Sequence, residues 1–449
     1  MLGYEKEQRN LNKEQKKAVG ILSIGTFLEY FDLMLYIHMA VFLNEIFFPK
    51  PDGIHNNTFF SSLAFCSAFV FRPFGAILFG WLGDTLGRKS TVIITTFMMS
   101  ISCFVMAVFP TYATMGVMSA WVITICRIVQ GMSSMGEIIG AGLYITEVTK
   151  PSIQFPSVAA TSACAGLGGC ASLFVATLVT SYGTNWRYAF LFGATIALVG
   201  GFARNALRET VEFADAKRRI KKQYQEANID EKTLKDNFVY NIKVNKISAL
   251  ALMLMECAWP VCFYFAFIHC GNILKISFNF SAEQIIRNNL SVSVVQVLGM
   301  IITAYLSYYI YPLRILKFRM VLFLPFVLFC PYLLDNVTNS TQIFLIQLFV
   351  VFFGTSTPPA FPILVKHFPV FKRFTYSALM YASSRAIMYV ISSFGINWLI
   401  MHFNNYGLLI IMVPASIGFI FGMYHFEKLE KEAGNFPPTL LNSSLSKMA

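Results

Sequence analysis

The segment GWLGDTLGRK, at residues 80–89, lies directly between two long apolar stretches of the chain. It carries one carboxylate, Asp84, and two adjacent cations, Arg88 and Lys89. Each of these charges would cost several kcal/mol in hydrocarbon, so the segment is expected in water at the face of a membrane. We therefore interpret it as a turn between two membrane-spanning helices.

Three glycines punctuate the same segment, and they are Gly80, Gly83 and Gly87. Without a Cβ atom, they let two helix ends and the turn approach a neighbouring helix closely. A simpler interpretation is a basic loop that only fixes the orientation of the chain in the membrane. Three glycines and a leading Asp are more than orientation requires, which favours a specific contact with another helix.

The pattern G-x-L-x-D-x-x-G-R-K resembles the signature loop between spans 2 and 3 of the major facilitator superfamily. The matching residues are Gly80, Leu82, Asp84, Gly87, Arg88 and Lys89. The resemblance implies a gating loop, in which the Asp meets the end of a helix from the other half of the protein and holds one of two alternating-access states. Thr85 stands where the family usually has a basic residue, which weakens one contact.

Composition indicates a membrane protein independently of any motif. The 449 residues are 56% hydrophobic, include 45 Phe and are only 13% charged, which is far too apolar for a soluble domain. A span needs about 20 apolar residues, and hydropathy predicts twelve, centred near residues 30, 70, 100, 128, 168, 196, 259, 297, 327, 351, 387 and 414. We expect an all-α integral membrane protein with twelve transmembrane helices in two six-helix bundles.

Positive charges cluster on one side of the predicted membrane. Cytoplasmic loops collect Lys and Arg, and the predicted spans place 27 of the 35 on one side and four on the other. Both termini are then expected in the cytoplasm. Residues 1–17 are polar and charged, so no cleavable signal peptide is expected. The net charge of +12 needs no nucleic-acid partner to explain it.

A long polar stretch at residues 208–246 splits the chain into two parts. Its length and position suit a linker between two bundles that rock about a central cavity. The predicted division is 1–17 N-terminal tail, 18–207 first bundle, 208–246 linker, 247–426 second bundle and 427–449 C-terminal tail, with the tails and the linker cytoplasmic. Within the linker, EFADAKRRIKKQYQEA predicts an amphipathic helix that either lies on anionic lipid or is a solvated linker helix.

Cysteine usage and motif content argue against cofactors. All nine cysteines fall within predicted spans, and no pair has zinc-ligand spacing with a nearby His. They are interpreted as small packing residues, and no metal site, disulfide or other cofactor is expected. The chain also lacks a G-x-x-x-x-G-K-[ST] phosphate loop, so uphill transport would draw on an ion gradient.

The first span carries two acidic residues, Glu29 and Asp32, which share a helix face because they are three positions apart. Two carboxylates in a low-dielectric cavity do not both ionise readily, so the pair could load and release a proton near neutral pH. The alternative is that one of them caps or hydrogen-bonds within the bundle. His38, farther along the span, is expected to be a packed, hydrogen-bonded histidine.

The fourth span supplies Arg127 and Glu137. Arg127 is not expected to face lipid, so we predict that it points into the cavity, where it could bind an anionic substrate or neutralise a carboxylate of the first span. A purely structural buried ion pair is the competing interpretation. Glu137 is expected near the cytoplasmic half, among glycines that allow tight helix packing. Glu147 lies close to the membrane edge and is expected to face a loop.

Four stretches narrow the resemblance to the metabolite:proton symporter branch of the superfamily. They are LEYFDLMLY at 28–36, FRPFGAILFGWLGD at 71–84, RIVQGMSSMGE at 127–137 and HFPVFKRFTYSALMYASS at 367–384. The branch includes proline/betaine, α-ketoglutarate, citrate and shikimate carriers, which implies the bacterial inner membrane. The residues that this resemblance assigns to the substrate and proton pathway are Glu29, Asp32, Arg127 and Glu137.

The second half departs from the family pattern. Where a second Asp-containing loop is usual, the chain has AYLSYYIYPLRILK, with Tyr308 at the Asp position and Tyr311 where Gly is expected. The symmetric gate contact is therefore expected to be absent or rebuilt from aromatic packing. Glu256 in the seventh span and Arg385 in the eleventh are candidate cavity-lining groups. Trp259, which precedes a proline, could mark a broken helix at the cavity or a simple kink.

Together these features predict a transporter that carries a small polar metabolite with a proton, acting as a functional monomer in the lipid bilayer. A uniporter or exchanger on the same fold is the alternative within transport, and a receptor or scaffold without transport is the alternative outside it. An enzyme is not expected, because no nucleophile and base occur together in the loops.

Two features bear on the substrate. Arg127 and Arg385 favour a ligand with a carboxylate. Aromatic residues could hold a quaternary ammonium group by cation–π contact, and they are Tyr30, Phe31, Tyr36 and Trp259. A zwitterion such as proline or betaine and a simple carboxylate both remain open.

Overall fold

The computed structural model describes residues 7–39, 43, 46–47, 68–182, 185–204, 214–215, 218 and 243–437. In the first half, the long helices are α1 Lys13–His38, α2 Arg72–Thr85, α3 Arg88–Val108, α4 Val117–Val148, α5 Gln154–Tyr182 and α6 Trp186–Arg204. In the second half they are α7 Lys246–Tyr264, α8 Ala282–Tyr309, α9 Pro312–Asp335, α10 Ser340–Phe353, α11 Val370–Val390 and α12 Gly407–Glu432. The described residues contain no β-sheet, only one isolated bridge, and the predicted all-α fold is confirmed.

Apolar helices give the described chain the surface of a membrane protein. Eight stretches within it are long and apolar enough to cross a bilayer, and one of them, Val370–Glu432, contains both α11 and α12. Large apolar side chains such as Phe74, Trp121 and Phe329 are exposed on the outside. An exterior with many exposed apolar side chains is favourable in lipid and unfavourable in water.

Both ends of the helical region extend beyond the apolar runs. α1 begins at Lys13, before the predicted boundary at 18, because Asn12 and Gln15 form a capping box: the Asn12 side chain accepts from the Gln15 N–H at 2.8 Å, and the Gln15 side chain accepts from the Asn12 N–H at 3.0 Å. α12 continues to Glu432, past the predicted boundary at 426. Hydropathy marks the part of a helix that lies in lipid, whereas capping marks where the helix begins.

The helix that carries Trp259 is not broken at the following proline. Pro260 lies inside α7, and a π-helical turn, Phe265–His269, continues it directly into the helix Cys270–Phe278. Pro removes one backbone donor without ending a helix when neighbouring helices surround it. Of the two alternatives left open by the sequence, a broken helix is therefore not found here, and the irregular backbone is a π-helical turn that directly follows α7.

The two halves meet through two pairs of helices. α2 packs along α11, and α5 packs along α8. Within the first half, α1 packs on α5 and α3 packs on α4 and α6, while α7 packs on α11 and α12 in the second. Most of the polar linker lies outside the described residues, and so do Cys66, the chain beyond 437 and all of the predicted amphipathic segment at 212–227 except residues 214, 215 and 218.

Candidate functional site

A cavity of about 160 Å³ lies between the two halves. Its polar and aromatic lining from the first half includes Tyr30, His38, Phe69 and Arg72, and from the second half Glu256, Trp259, Phe263, Gln296, Tyr381, Arg385 and Tyr389. Of the residues that the sequence nominated, Tyr30, Glu256, Trp259 and Arg385 line it. This volume is similar to that of a cavity that admits a benzene-sized molecule, so the space suits a compact solute.

Glu256 and Arg385 form a buried ion pair in the wall of the cavity. Arg385 Nη1 lies 2.6 Å from Glu256 Oε2 and also donates to the Glu256 backbone carbonyl at 2.7 Å. Thr357 Oγ1 donates to Glu256 Oε1 at 2.5 Å, and the Arg385 guanidinium lies 3.7 Å from the centre of the Tyr381 ring. The pair is thus fixed from several sides and adds no net charge to the cavity.

Aromatic side chains from the two halves touch across the cavity. The hydroxyls of Tyr30 and Tyr381 are 3.4 Å apart, and the rings of Phe69 and Tyr389 have centroids 4.1 Å apart. Phe263 meets Tyr389 edge-on at 6.2 Å. These contacts give the cavity an apolar wall with a few polar tips, which is the usual composition of a small-molecule site.

Glu29, Asp32 and Glu137 lie apart from this cavity, buried within the first half. Asp32 is fully buried and interacts with the Cys103 thiol and, electrostatically, with Glu137. A Cβ atom at Gly193 would lie 1.9 Å from Asp32 Oδ1, so the backbone of α6 packs directly against this carboxylate. We call these three acidic residues the carboxylate cluster.

Arg127 does not point into the cavity, contrary to our expectation. Its Nη1 donates to Gln130 Oε1 at 3.0 Å, and its guanidinium lies 4.2 Å from the centre of the Tyr36 ring, so Tyr36 also faces away from the cavity. Among the described residues it forms no ion pair with a carboxylate. A side-chain amide and an aromatic face contact this buried cation inside the bundle, while its Nε and Nη2 atoms are buried without a hydrogen-bond partner among the described residues.

Asp84 reaches the second half of the chain. Its Oδ1 accepts from the Phe374 N–H at 3.1 Å, and its Oδ2 accepts from the Thr375 N–H at 2.8 Å and the Thr375 hydroxyl at 2.7 Å, near the start of α11. A Cβ at Gly80 would lie 2.7 Å from Thr375 Cα, and one at Gly83 would lie 2.4 Å from the Phe374 ring. The glycines therefore allow this close approach.

The cations beside Asp84 are also less exposed than expected. Arg88 is fully buried, donates to the Val370 carbonyl at 2.8 Å and pairs with Glu147 at 3.0 Å; Arg373 pairs with the same Glu147 oxygen at 3.1 Å. Placing Asp84 and Arg88 in water was wrong, because the second half covers them. Glu147 likewise does not face a loop, since it is buried between two arginines.

The remaining residues of the segment fit its turn. Gly87 adopts φ +114°, a conformation that favours glycine, and precedes α3, and Lys89 is half-buried in the first turn of that helix.

The counterpart of this turn in the second half is built from aromatic residues. Tyr311 is fully buried, donates from its hydroxyl to Glu430 Oε2 at 2.9 Å and packs edge-on against Phe155 of the first half at 6.2 Å. Tyr308 donates to the Arg9 carbonyl at 3.3 Å. Of the two alternatives left open by the sequence, the structure has the aromatic one.

Three residues that line the cavity were not predicted from the sequence: Arg72, Tyr381 and Tyr389. The signal for Arg72 was an arginine inside an apolar run, next to Pro73. The two tyrosines had no comparable signal, because tyrosine is common in this chain. Across the residues that the structure describes, no group of His, Cys, Asp or Glu could hold a metal ion.

Comparison with known proteins matches most of the chain. The sequence profile of the Major Facilitator Superfamily matches residues 22–393. The inner membrane metabolite transport protein YhjE of Escherichia coli is 35% identical over 234 residues, which are 49% of this chain and 52% of that protein. The proline/betaine transporter of Salmonella typhimurium is 31% identical over 210 residues, 44% of this chain and 41% of that protein. The chain thus spans about half the length of the curated relatives it matches.

The fold is also that of solved transporters. The proton:xylose symporter XylE bound to 6-bromo-6-deoxy-D-glucose superposes with a TM-score of 0.71 at 17% identity, over 92% of this chain and 96% of that one. A double Trp mutant of XylE superposes with a TM-score of 0.72 at 16% identity, over 92% and 95% of the two chains. At this identity, the likeness concerns the fold.

Proposed function

The chain belongs to the Major Facilitator Superfamily, and from this premise we propose that it is a secondary active transporter that moves a small polar metabolite together with a proton. The observation that carries the proposal is a cavity between two helical halves, lined by ionisable and aromatic groups from both. Relatives named as metabolite and proline/betaine transporters support it. The family itself consists of transporters, and the prediction that the chain is not an enzyme is confirmed.

The proposed architecture has twelve spans in two six-helix bundles, with both termini in the cytoplasm of a bacterium and the protein in its inner membrane. The pairing of α2 with α11 and of α5 with α8 supports two bundles that rock against each other. A functional monomer is sufficient, since the cavity takes its lining from both halves of one chain.

The carboxylate cluster is the proposed proton site, and Asp32 is its central member. A buried carboxylate without a compensating cation is stabilised when it binds a proton. Asp32 lies on α1, the same helix that supplies Tyr30 to the cavity, so a change in charge at Asp32 can be transmitted to the cavity wall through one rigid element. Arg127 is proposed as a positioning residue for α1 through its contact with Tyr36.

The turn at 80–89 is the proposed gate. In this conformation Asp84 and Arg88 join the first half to α11, which supports a role in holding this side of the protein closed. Opening would require breaking these bonds, and such bonds then set the balance between two alternating-access states.

The proposed substrate is either a zwitterion such as proline or betaine, or a simple carboxylate. Relatives named for proline and betaine transport support the first, and the aromatic wall of the cavity is compatible with an ammonium group.

Uniport or exchange is the second candidate. The carboxylate cluster and the cavity share no lining residue in the described part of the chain, so substrate movement does not by itself require the proton site. A receptor or scaffold without transport draws support from Tyr308 at the position of the second gate carboxylate, and it is disfavoured by the several buried charges.

Uptake into proteoliposomes tests the proposal. Labelled proline, glycine betaine, α-ketoglutarate, citrate and shikimate would be offered with and without an inward proton gradient, with a protonophore as control. Accumulation above equilibrium that the protonophore abolishes is the expected result. Uptake that stops at equilibrium would favour the uniporter or exchanger, and no uptake of any compound would favour the receptor or scaffold.

A further inference from the structure

Arg72 lies at the cavity with no partner for its charge in the part of the chain that the structure describes. It is the first residue of α2, is only 2% exposed and lines the cavity. Its Nε and Nη2 atoms are buried and donate to no hydrogen-bond acceptor among the described residues, where no ion pair to Arg72 occurs either. The side chain rests on the Phe69 ring, whose centre is 4.5 Å from the guanidinium carbon.

This arrangement of Arg72 is energetically unfavourable unless an anion or a hydrogen-bond acceptor contacts the guanidinium group. Arginine stays charged in proteins, and a buried charge without hydrogen bonds or a counter-ion costs several kcal/mol. One aromatic face recovers part of this, about 0.5–2 kcal/mol. The two unsatisfied nitrogens therefore mark a place that favours an anion.

Other buried arginines near the interface do not offer this. Arg385 is neutralised by Glu256, and Arg88 and Arg373 share Glu147. Arg127 has the same two unsatisfied nitrogens, Nε and Nη2, but it lies away from the cavity against Gln130, so a solute in the cavity does not reach it. Among the described residues that line the cavity, the Glu256–Arg385 pair cancels, so Arg72 leaves the lining with a net positive charge when His38 is neutral.

We propose that Arg72 receives the carboxylate of the substrate. The inference rests on the proposed transport function and deepens it, because it assigns the binding of the substrate carboxylate to one residue of the first half. The planar guanidinium matches a carboxylate with two parallel hydrogen bonds. The rest of the solute then lies against the aromatic wall, where Tyr30 and Trp259 face the same space.

Equilibrium binding to the purified protein in detergent tests this inference. The probes are carboxylates paired with analogues that lack the charge: L-proline with L-prolinamide, glycine betaine with choline, and α-ketoglutarate and citrate with their methyl esters. We expect at least one carboxylate to bind at least about tenfold more tightly than its analogue, which is the size of a charge-assisted hydrogen bond. Arg72→Gln should remove that preference, and Arg72→Lys should keep part of it.

Controls separate a binding role from a folding role. Arg287→Gln removes an arginine from an exposed ion pair with Glu283 and should leave the preference unchanged. Size-exclusion elution and melting temperature of each variant show whether it is folded. If Arg72→Gln is not folded, Arg72→Lys, which keeps the charge, provides the test. The inference would be overturned if a folded Arg72→Gln protein kept the wild-type preference for the carboxylate. It would also be overturned if Arg72→Lys and Arg72→Gln both kept that preference in full.

Two further results would also overturn it: wild-type protein that binds no carboxylate of the panel, and wild-type protein that binds the uncharged or cationic analogues equally well. Because binding is measured without a gradient, its outcome is independent of proton coupling. A protein that needs Arg72 for carboxylate binding but never accumulates substrate would refute symport while supporting the role of Arg72.

Discussion

The carboxylate of Asp84 accepts two hydrogen bonds from Thr375, one from its backbone N–H at 2.8 Å and one from its hydroxyl at 2.7 Å. The two residues belong to different halves of the chain, and Asp84 is buried while Thr375 is half-buried. Charge-assisted hydrogen bonds of this kind are about twice as strong as neutral ones. They hold the start of α11 against the end of α2 in this conformation.

Asp84→Ala should slow turnover while leaving the protein inserted and folded. The substitution removes bonds between the halves, not a group that lines the cavity, so we expect kcat to fall severalfold with a smaller change in KM. Initial rates of uptake at several substrate concentrations measure both. Thr375→Val, which loses one of the two Thr375 bonds, should have a smaller effect. Unchanged transport in Asp84→Ala would remove the gate role.

Glu147→Gln should destabilise the same interface. One oxygen of Glu147 accepts from both Arg88 and Arg373, so neutralising it removes the negative charge that both buried cations share, although Arg88 also pairs with Asp84 at 3.4 Å. Breaking a buried ion pair from one side costs about 3–5 kcal/mol. The melting temperature in detergent should fall clearly. Glu283→Gln, in an exposed pair, should change it little, because such pairs contribute about 0–1 kcal/mol; equal shifts in the two variants would contradict the prediction.

The sequence predicts the structure correctly where the residue types allow only one arrangement of the chain. Apolar runs predicted helices, and glycines at 80 and 83 predicted a close helix contact. Prediction and structure differ where the position of a side chain depends on the rotation of its helix about the helix axis. Arg72 and Arg127 both lie in apolar runs, and only the packing of neighbouring helices shows that Arg72 faces the cavity while Arg127 faces Tyr36. Interior and lipid-facing sides of such helices are both apolar, so their sequence does not mark the cavity side.

Burial at helix ends is equally hard to predict. Glu147 lies one residue before the end of α4 and close to Lys150, which suggested a loop-facing position. Its burial depends on Arg373, more than 200 residues later in the chain. Only the docking of the second half brings this partner to it.

Asp32→Asn should abolish accumulation against a gradient while sparing some exchange. Asparagine has nearly the same shape but binds no proton, so the proposed coupling step is lost and the cavity stays intact. Counterflow and gradient-driven uptake in the same proteoliposomes separate the two activities. Retained uphill uptake would move the proton site elsewhere in the carboxylate cluster, to Glu29 or Glu137.

Gly193→Ala should impair the same step without changing any charge. The new methyl group would lie 1.9 Å from Asp32 Oδ1, so the carboxylate or α6 must shift. We expect reduced gradient-driven uptake and a lower melting temperature. Gly20→Ala is the matched control, because nothing lies within 4 Å of its added Cβ and alanine favours helix by about 1 kcal/mol. If both variants behaved like the wild type, α6 would not press on Asp32.

The Glu256–Arg385 pair can be tested with a double-mutant cycle. Glu256→Gln alone leaves Arg385 as a second unpaired cation in the cavity, and Arg385→Gln alone leaves a buried carboxylate. Each should lower the melting temperature, whereas the double variant should recover part of the loss, since the two charges are 2.6 Å apart. Additive losses would show that the two charges do not stabilise each other.

Function should respond differently from stability in the same cycle. If the pair only holds α7 against α11, the double variant recovers uptake together with its melting temperature. If the substrate instead replaces one member of the ion pair during transport, the double variant recovers stability but not uptake, because no charge remains at that position in the cavity wall. Arg72 provides the comparison: it has no ion-pair partner among the described residues, so no second substitution there is expected to rescue Arg72→Gln. The pair therefore distinguishes a structural charge from a substrate-binding one within a single cavity.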